Sequence, residues 1–202
     1  MLRRYLRLKR NNFVTNHSEE LTDSYYITHF MPKIEKVLQD NMEFLNSLKN
    51  CQISGDSLRN IEISSYNPIK YEMNITPVIA EMLRTSSLPL SHSLPKVVDL
   101  NSPLVFRTYK WGDDLVKSPF FDVHEPTDDK PQVYPQVLIV PLMGFMEDCH
   151  RIGYGGGFYD RTITQLREMY DNKILMIGVC FEAQRFDKFT GKVASNDVWQ
   201  EN

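Results

Sequence analysis

Two continuous apolar runs, residues 137–142 and 174–179, stand on either side of a glycine-rich stretch and a periodic segment. A run of apolar residues without alternation is what a strand buried on both faces of a parallel sheet requires. Parallel neighbours need a crossover connection, and residues 158–170 supply one at helical spacing. Between the first run and that helix, five of the nine glycines fall from Gly144 to Gly157. The order strand, glycine-rich loop, helix, strand is one crossover unit of a layered α/β fold.

The loop itself reads Arg151-Ile152-Gly153-Tyr154-Gly155-Gly156-Gly157-Phe158-Tyr159-Asp160-Arg161. Glycines let backbone come close to a ligand and adopt positive φ, and the first amides of a helix offer donors to an anion. Arg151 and Arg161 bracket the loop with fixed positive charge, and Asp160 stands where a divalent metal would join a polyphosphate. No Gly-Lys-Ser/Thr closes the stretch, so it is not a Walker loop, and it lacks the dinucleotide GxGxxG spacing. A tight turn without a ligand is the competing reading of the glycines alone.

The rest of the chain completes the fold class. Leu2, Leu6 and Phe13 among basic residues suggest a first amphipathic helix, broken near Asn11-Asn12. Residues 19–48 carry a second helical region, in which Pro32 kinks the helix or starts a new one. Ser54-Gly55-Asp56 marks a loop, and residues 61–66 alternate and are β-branched, which predicts a strand. Thr76 caps a further helix with Pro77 in its first turn. Residues 96–100 and 104–109 are further strand candidates, and residues 112–136 form an ordered polar excursion in which Phe120 and Phe121 need cover. The expectation is one domain over residues 1–202, a mostly parallel sheet flanked by helices.

Composition excludes several functions. A net charge of −3 argues against general nucleic-acid binding. The basic residues Arg3, Arg4, Arg7, Lys9 and Arg10 precede the first acid, and read either as a solvated helix face or as cations aimed at an anionic ligand. No apolar stretch reaches the roughly 18 residues of a membrane span, and the start lacks the apolar core of a secretory signal. Cys51, Cys149 and Cys180 are widely separated and read as reduced thiols, so a cytoplasmic location is expected. The histidines show no paired spacing for zinc.

Val140-Pro141, Gly144-Phe145 and the run from Arg151 to Arg161 resemble the signature of the 5-formyltetrahydrofolate cyclo-ligase family. Leu2-Arg3, Tyr66-Asn67-Pro68-Ile69 with Glu72-Met73-Asn74, and His124-Glu125-Pro126 match further segments in the same order. The resemblance implies a NagB/RpiA/CoA-transferase-like fold and ATP-dependent closure of 5-formyltetrahydrofolate to 5,10-methenyltetrahydrofolate, with ADP and phosphate released. By the same resemblance, Arg3, Arg151, Ile152, Gly153, Tyr154, Gly155, Gly156, Gly157, Phe158 and Tyr159 hold ATP. Tyr66, Asn67, Glu72 and Phe121 line the folate site, sharing Tyr154 to Phe158 with the nucleotide. Asp160 and Asp197 are the implied ligands of Mg2+. No nucleophilic Ser or Cys is called for, so Arg151 and Tyr154 serve to position. The partners implied are small molecules, with neither nucleic acid nor membrane, and the chain is expected as a monomer or weak dimer.

Some positions depart from the family pattern. Met146 and Cys149 stand where Asp and Gly are usual, and Asn74 replaces an Asp. A lysine that the family carries three residues before Leu2 has no counterpart, leaving Arg4 or Arg7 to substitute, and only five residues follow Asp197. Two other readings therefore stay open. One is a catalytically impaired folate- or nucleotide-binding relative. The other is a sugar-phosphate isomerase or CoA-transferase-like enzyme, for which Gly155 to Gly157 offer no acid or base.

Overall fold

The computed structural model describes residues 2–48 and 60–186. Three helices come first: α1 (Leu2–Asn16), α2 (Asp23–Asp40) and α3 (Met42–Leu48). The crossover unit β1 (Ile61–Ser64), α4 (Thr76–Thr85), β2 (Leu90–Lys96) follows, then β3 (Val105–Thr108). The polar excursion folds into the short strands β4 (Leu115–Lys117), β5 (His124–Pro126) and β6 (Gln132–Val133). The glycine-rich unit closes the described chain: β7 (Val137–Pro141), the hairpin β8 (Gly144–Phe145) and β9 (Arg151–Ile152), α5 (Phe158–Met169), and β10 (Leu175–Val179).

The main sheet runs β10-β7-β1-β2-β3-β6. Its first four strands are parallel, and β3 and β6 add an antiparallel edge. β7 is buried over its whole length, as its unbroken apolar run requires. β10, expected to be equally buried, instead alternates half-buried and exposed positions up to the buried Val179, with Met176 38% exposed, because it pairs only with β7 among the described residues. From β1 the chain crosses through α4 to one side, and from β7 it crosses through α5 to the other. The gap between β1 and β7 is thus a topological switch point, where open α/β sheets leave a crevice at the carboxyl ends of their strands.

The structure changes several local expectations. α1 runs unbroken through Asn11-Asn12 to Asn16, with Leu6 fully buried and the Phe13 ring tilted against Phe181, centroids 5.1 Å apart. Residues 19–48 divide at Asn41, not at Pro32, which lies inside α2. The strand expected at 96–100 is instead β2, whose Ser91, Ser93 and Pro95 hide it from an apolar-pattern reading. It holds because β1 and β3 pair with it on both sides. Thr76 does not cap α4: Ile75 occupies that position, and Thr76 N–H donates to Asn74 Oδ1 at 3.3 Å. Glu62, on a strand whose alternation implies a wet face, is only 5% exposed. Burial raises its carboxyl above 4.5, and Ser91 Oγ donates to it at 2.5 Å.

A buried hydroxyl ties α5 to the segment that leads into β3. Thr162 is fully buried, donates to Phe158 O at 2.7 Å and accepts from Leu104 N–H at 2.9 Å. Thr162→Val keeps the shape but leaves that amide without an acceptor. It should destabilise the chain by about 1–3 kcal/mol, read as a lower urea midpoint at unchanged slope. An unchanged midpoint would show that the amide finds another partner. Among the described residues no helix is long and apolar enough to cross a membrane.

Candidate active site

A cavity of about 420 Å3 opens at the β1–β7 switch point. Tyr66 and Asn67, just beyond β1, and Pro141, at the end of β7, stand on its walls. The glycine-rich loop and the start of α5 form another wall, and Phe121 and the β5 residues His124 and Glu125 close it from the polar excursion. Its size falls in the ordinary range for small-molecule sites, roughly 300–1,000 Å3.

The loop wall is built for an anion. Gly157 caps α5 at φ 68° with no side-chain hydrogen bond, so the first amides of the helix remain available. Gly155 also has positive φ, 103°, a conformation that a side chain would strain. Arg151 lines the cavity and pairs with Asp160, whose side chain is 73% exposed. Arg161 does not share this duty: it donates to Ser102 O at 3.2 Å and Leu100 O at 3.1 Å, and lies over the Phe158 ring. It therefore anchors the 100–102 turn, and only Arg151 of the two bracketing cations faces the cavity.

The opposite wall suits a flat, partly polar ring. Phe121 meets Phe158 edge to face, centroids 5.6 Å apart, and remains 37% exposed. Tyr66 is 3% exposed and its hydroxyl donates to Met73 O at 2.8 Å, so it contributes its ring and not its hydroxyl. Asn67 donates to His124 O at 2.8 Å and pins β5 to the wall. Glu72 is 9% exposed; its Oε2 accepts from Ile69 N–H at 2.7 Å. Burial raises the Glu72 carboxyl, against the lowering effect of hydrogen bonds from Ile69 and Tyr154 and of the Arg10 charge. Burial also raises the Tyr66, Tyr154 and Tyr159 phenols, with the Glu72 charge adding to each, so these hydroxyls keep their protons.

Most of the residues read from the sequence meet here: Tyr66, Asn67, Glu72, Phe121, Arg151, Gly153, Tyr154, Gly155, Gly156, Gly157, Phe158, Tyr159 and Asp160 all border the one cavity. Arg3 and Ile152 do not. Arg3 lies behind the loop, its Nε donating to Gly153 O at 3.0 Å. Ile152 spends its backbone on the hairpin, accepting from Met143 N–H at 2.8 Å. Asp197 lies outside the described residues. Among those residues no three acidic, His or Cys side chains gather where they could hold a metal ion.

Two buried groups are not singled out as site residues by the sequence, which reads Arg10 only as one of five N-terminal cations and Glu125 only as part of a matching segment. Arg10 is 4% exposed, and its Nη1 donates to the Tyr154 hydroxyl. A helical period from Leu2, Leu6 and Phe13 places Arg10 on their apolar face, which is the signal that marks it. Glu125 is 3% exposed; its Oε1 accepts from Val97 N–H at 3.2 Å and its Oε2 has no partner among the described residues. It sits in the His124-Glu125-Pro126 segment that matched the family pattern, but a short polar strand gives no sign of burial.

Comparisons with known proteins fit this geometry. Residues 59–189 match the model of the 5-formyltetrahydrofolate cyclo-ligase family. The 5-formyltetrahydrofolate cyclo-ligase of Escherichia coli strain K12 is 32% identical over 124 residues, 58% of this chain and 63% of the relative. The Mycoplasma pneumoniae enzyme of the same name is 26% identical over 125 residues, 62% of each chain. The chain thus spans less than two thirds of the length of these relatives. Two solved structures share the fold. The 5,10-methenyltetrahydrofolate synthetase of Aquifex aeolicus superposes with a TM-score of 0.52 at 23% identity, covering 93% of this chain and 82% of that one. The synthetase from Mycoplasma pneumoniae gives 0.55 at 21% identity, covering 93% and 87%. The matched span holds β1, the glycine-rich loop and all the residues that wall the cavity, and on that span the chain belongs to the 5-formyltetrahydrofolate cyclo-ligase family.

Proposed function

We propose that this chain closes 5-formyltetrahydrofolate to 5,10-methenyltetrahydrofolate at the expense of ATP. The observation that carries the reading is a single cavity with two unlike walls. Phe121, Tyr66 and the buried Glu72 suit a flat heterocycle with N–H donors, while Arg151, Gly155 to Gly157 and the start of α5 suit a polyphosphate. The family's name supports the same chemistry. The sheet, with its crossovers diverging from β1 and β7, we place with the NagB/RpiA/CoA-transferase-like folds.

The reaction balances on these groups. The formyl oxygen is a poor leaving group until it takes the γ-phosphoryl of ATP, releasing ADP. The folate N10 then attacks the formyl carbon, the C–O bond breaks, phosphate leaves and N10 gives up its proton. Arg151 offsets the charge that develops on the transferred group, and the loop fixes its approach to the formyl oxygen. Tyr154 and Tyr159, protonated throughout, serve as donors and as wall. Magnesium, when bound, would neutralise the phosphate oxygens. Asp160 supplies one carboxylate at the cavity edge, which suits an ion carried in on the nucleotide's phosphates better than one held by protein ligands alone. Asp197 we keep as its proposed second ligand. In this reading the chain is a cytoplasmic monomer or weak dimer whose partners are small molecules.

Incubation with 5-formyltetrahydrofolate, ATP and magnesium tests the proposal through the near-ultraviolet absorbance of the methenyl product. Product matched one to one by ADP and phosphate is the expected result. Folate binding by calorimetry without turnover would favour the impaired binding relative, and absence of binding by either ligand would sink the reading.

A further inference from the structure

The glycine-rich loop has few holds of its own: Tyr154, Gly155 and Gly156 are exposed, and α5 begins without a side-chain cap. What fixes it comes from the far end of the sequence. α1 is seated by Leu6, fully buried against Gly144, where an added Cβ would lie 2.7 Å from a Leu6 methyl. Two turns of that helix then present Arg3 and Arg10 to the loop. Arg3 holds the Gly153 carbonyl. Arg10 donates to the Tyr154 hydroxyl, and its guanidinium carbon lies 5.5 Å from the centre of that ring.

A guanidinium can only donate, and a phenol has one proton. The Tyr154 hydroxyl, accepting from Arg10, must therefore give its own proton to its other partner, the Glu72 carboxylate. The three side chains form an ordered relay: cation, neutral phenol, anion. Among the described residues Arg10 has no carboxylate bonded to it directly, and its Nε has no partner. A charge so buried is costly unless something compensates it, and Glu72, through the phenol, does so.

We propose that Arg10 is a positioning residue, which directs the Tyr154 hydroxyl onto Glu72 and thereby holds the glycine-rich loop against the cavity with Glu72 oriented as an acceptor for the folate. Arg10 touches no substrate in this arrangement; it acts through Tyr154. Among the described residues, the charged and titratable groups facing Glu72 are Arg10 from α1, Tyr154 from the loop, Tyr159 from α5 and Tyr66 beyond β1. Only Arg10 is a cation, so its removal pushes the Glu72 carboxyl further up.

The kinetic test rests on the proposed ring-closure activity. In the full chain, Arg10→Met should raise the KM for 5-formyltetrahydrofolate about 10- to 100-fold, the range of one hydrogen bond to a charged group. It should also move the acid limb of kcat/KM to higher pH, and Arg10→Lys should restore part of both. Tyr154→Phe combined with Arg10→Met should be no worse than the poorer single variant, because both cut one chain. Additive losses, or a pH profile superimposable on that of the parent chain, would overturn the proposal. Should the parent chain make no product, amide hydrogen exchange of residues 153–157 decides instead. Faster exchange in Arg10→Met and Tyr154→Phe, with α5 still protected, supports the relay; unchanged exchange refutes it. If Arg10→Met does not fold, Arg10→Lys and Tyr154→Phe carry the same comparison.

Discussion

Arg151→Met should lower kcat by roughly 100-fold or more while 5-formyltetrahydrofolate binds almost as well as before. The magnitude is that of removing one preorganised donor from a site where charge develops in the transition state. Methionine keeps most of the stem that lines the cavity and removes the charged fork, so the wall stays closed and the phosphoryl contact is lost. Arg161 cannot take over, because it is committed to Leu100 O and Ser102 O. Arg3 is committed to Gly153 O behind the loop. Arg151→Lys should recover only part of the rate, since an ammonium offers charge without the planar pair of donors. Single-turnover rates set beside calorimetric folate affinity separate the two effects. A variant within fivefold of the parent in kcat would remove Arg151 from the phosphate and leave the helix N-terminus as the anion site.

What the sequence made legible follows from how local each signal is. The β7–loop–α5–β10 unit has its apolar runs, its glycines and its helical period all within about forty consecutive residues, and each element forms where its signal lies, though β10 is wetter than its apolar run implies. β2 was missed because its polar side chains are buried by neighbours far away in sequence. Ser93 is fully buried, and the register that buries it pairs Ser64 with Ser93 and Leu94 with Arg107. No window along residues 90–96 contains that information. Arg10 shows the same limit from the other side. Its identity says solvent, its period says core, and only the packing of α1 over the loop decides between them. The bracketing role given to Arg161 failed because sequence adjacency to a loop does not say which way a long side chain leaves a helix.

Glu72→Gln should weaken 5-formyltetrahydrofolate by about 10- to 100-fold, leave ATP affinity unchanged, and make the unliganded chain more stable at neutral pH. The opposed signs come from one carboxylate. In place of two acceptor oxygens, glutamine offers one. That oxygen is already claimed by Ile69 N–H, so the amide NH2 takes the other position and meets the N–H donors of the pterin. Stability moves the other way because burial raises the Glu72 carboxyl above its ordinary 4.5. Between that value and the raised one, the folded chain binds more protons than the unfolded chain. Parent stability therefore falls as pH rises through the window and levels off above it. The glutamine variant lacks this fall. The difference in urea midpoint between the two proteins should grow across the window and then stay constant, in favour of glutamine. Parallel midpoint profiles would mean that Arg10 and Tyr154 compensate the carboxylate fully. Equal losses of folate and ATP would mean that position 72 supports the fold of the cavity and not one of its ligands. A gain in stability with a loss of folate marks a charge kept for binding at the expense of the empty protein.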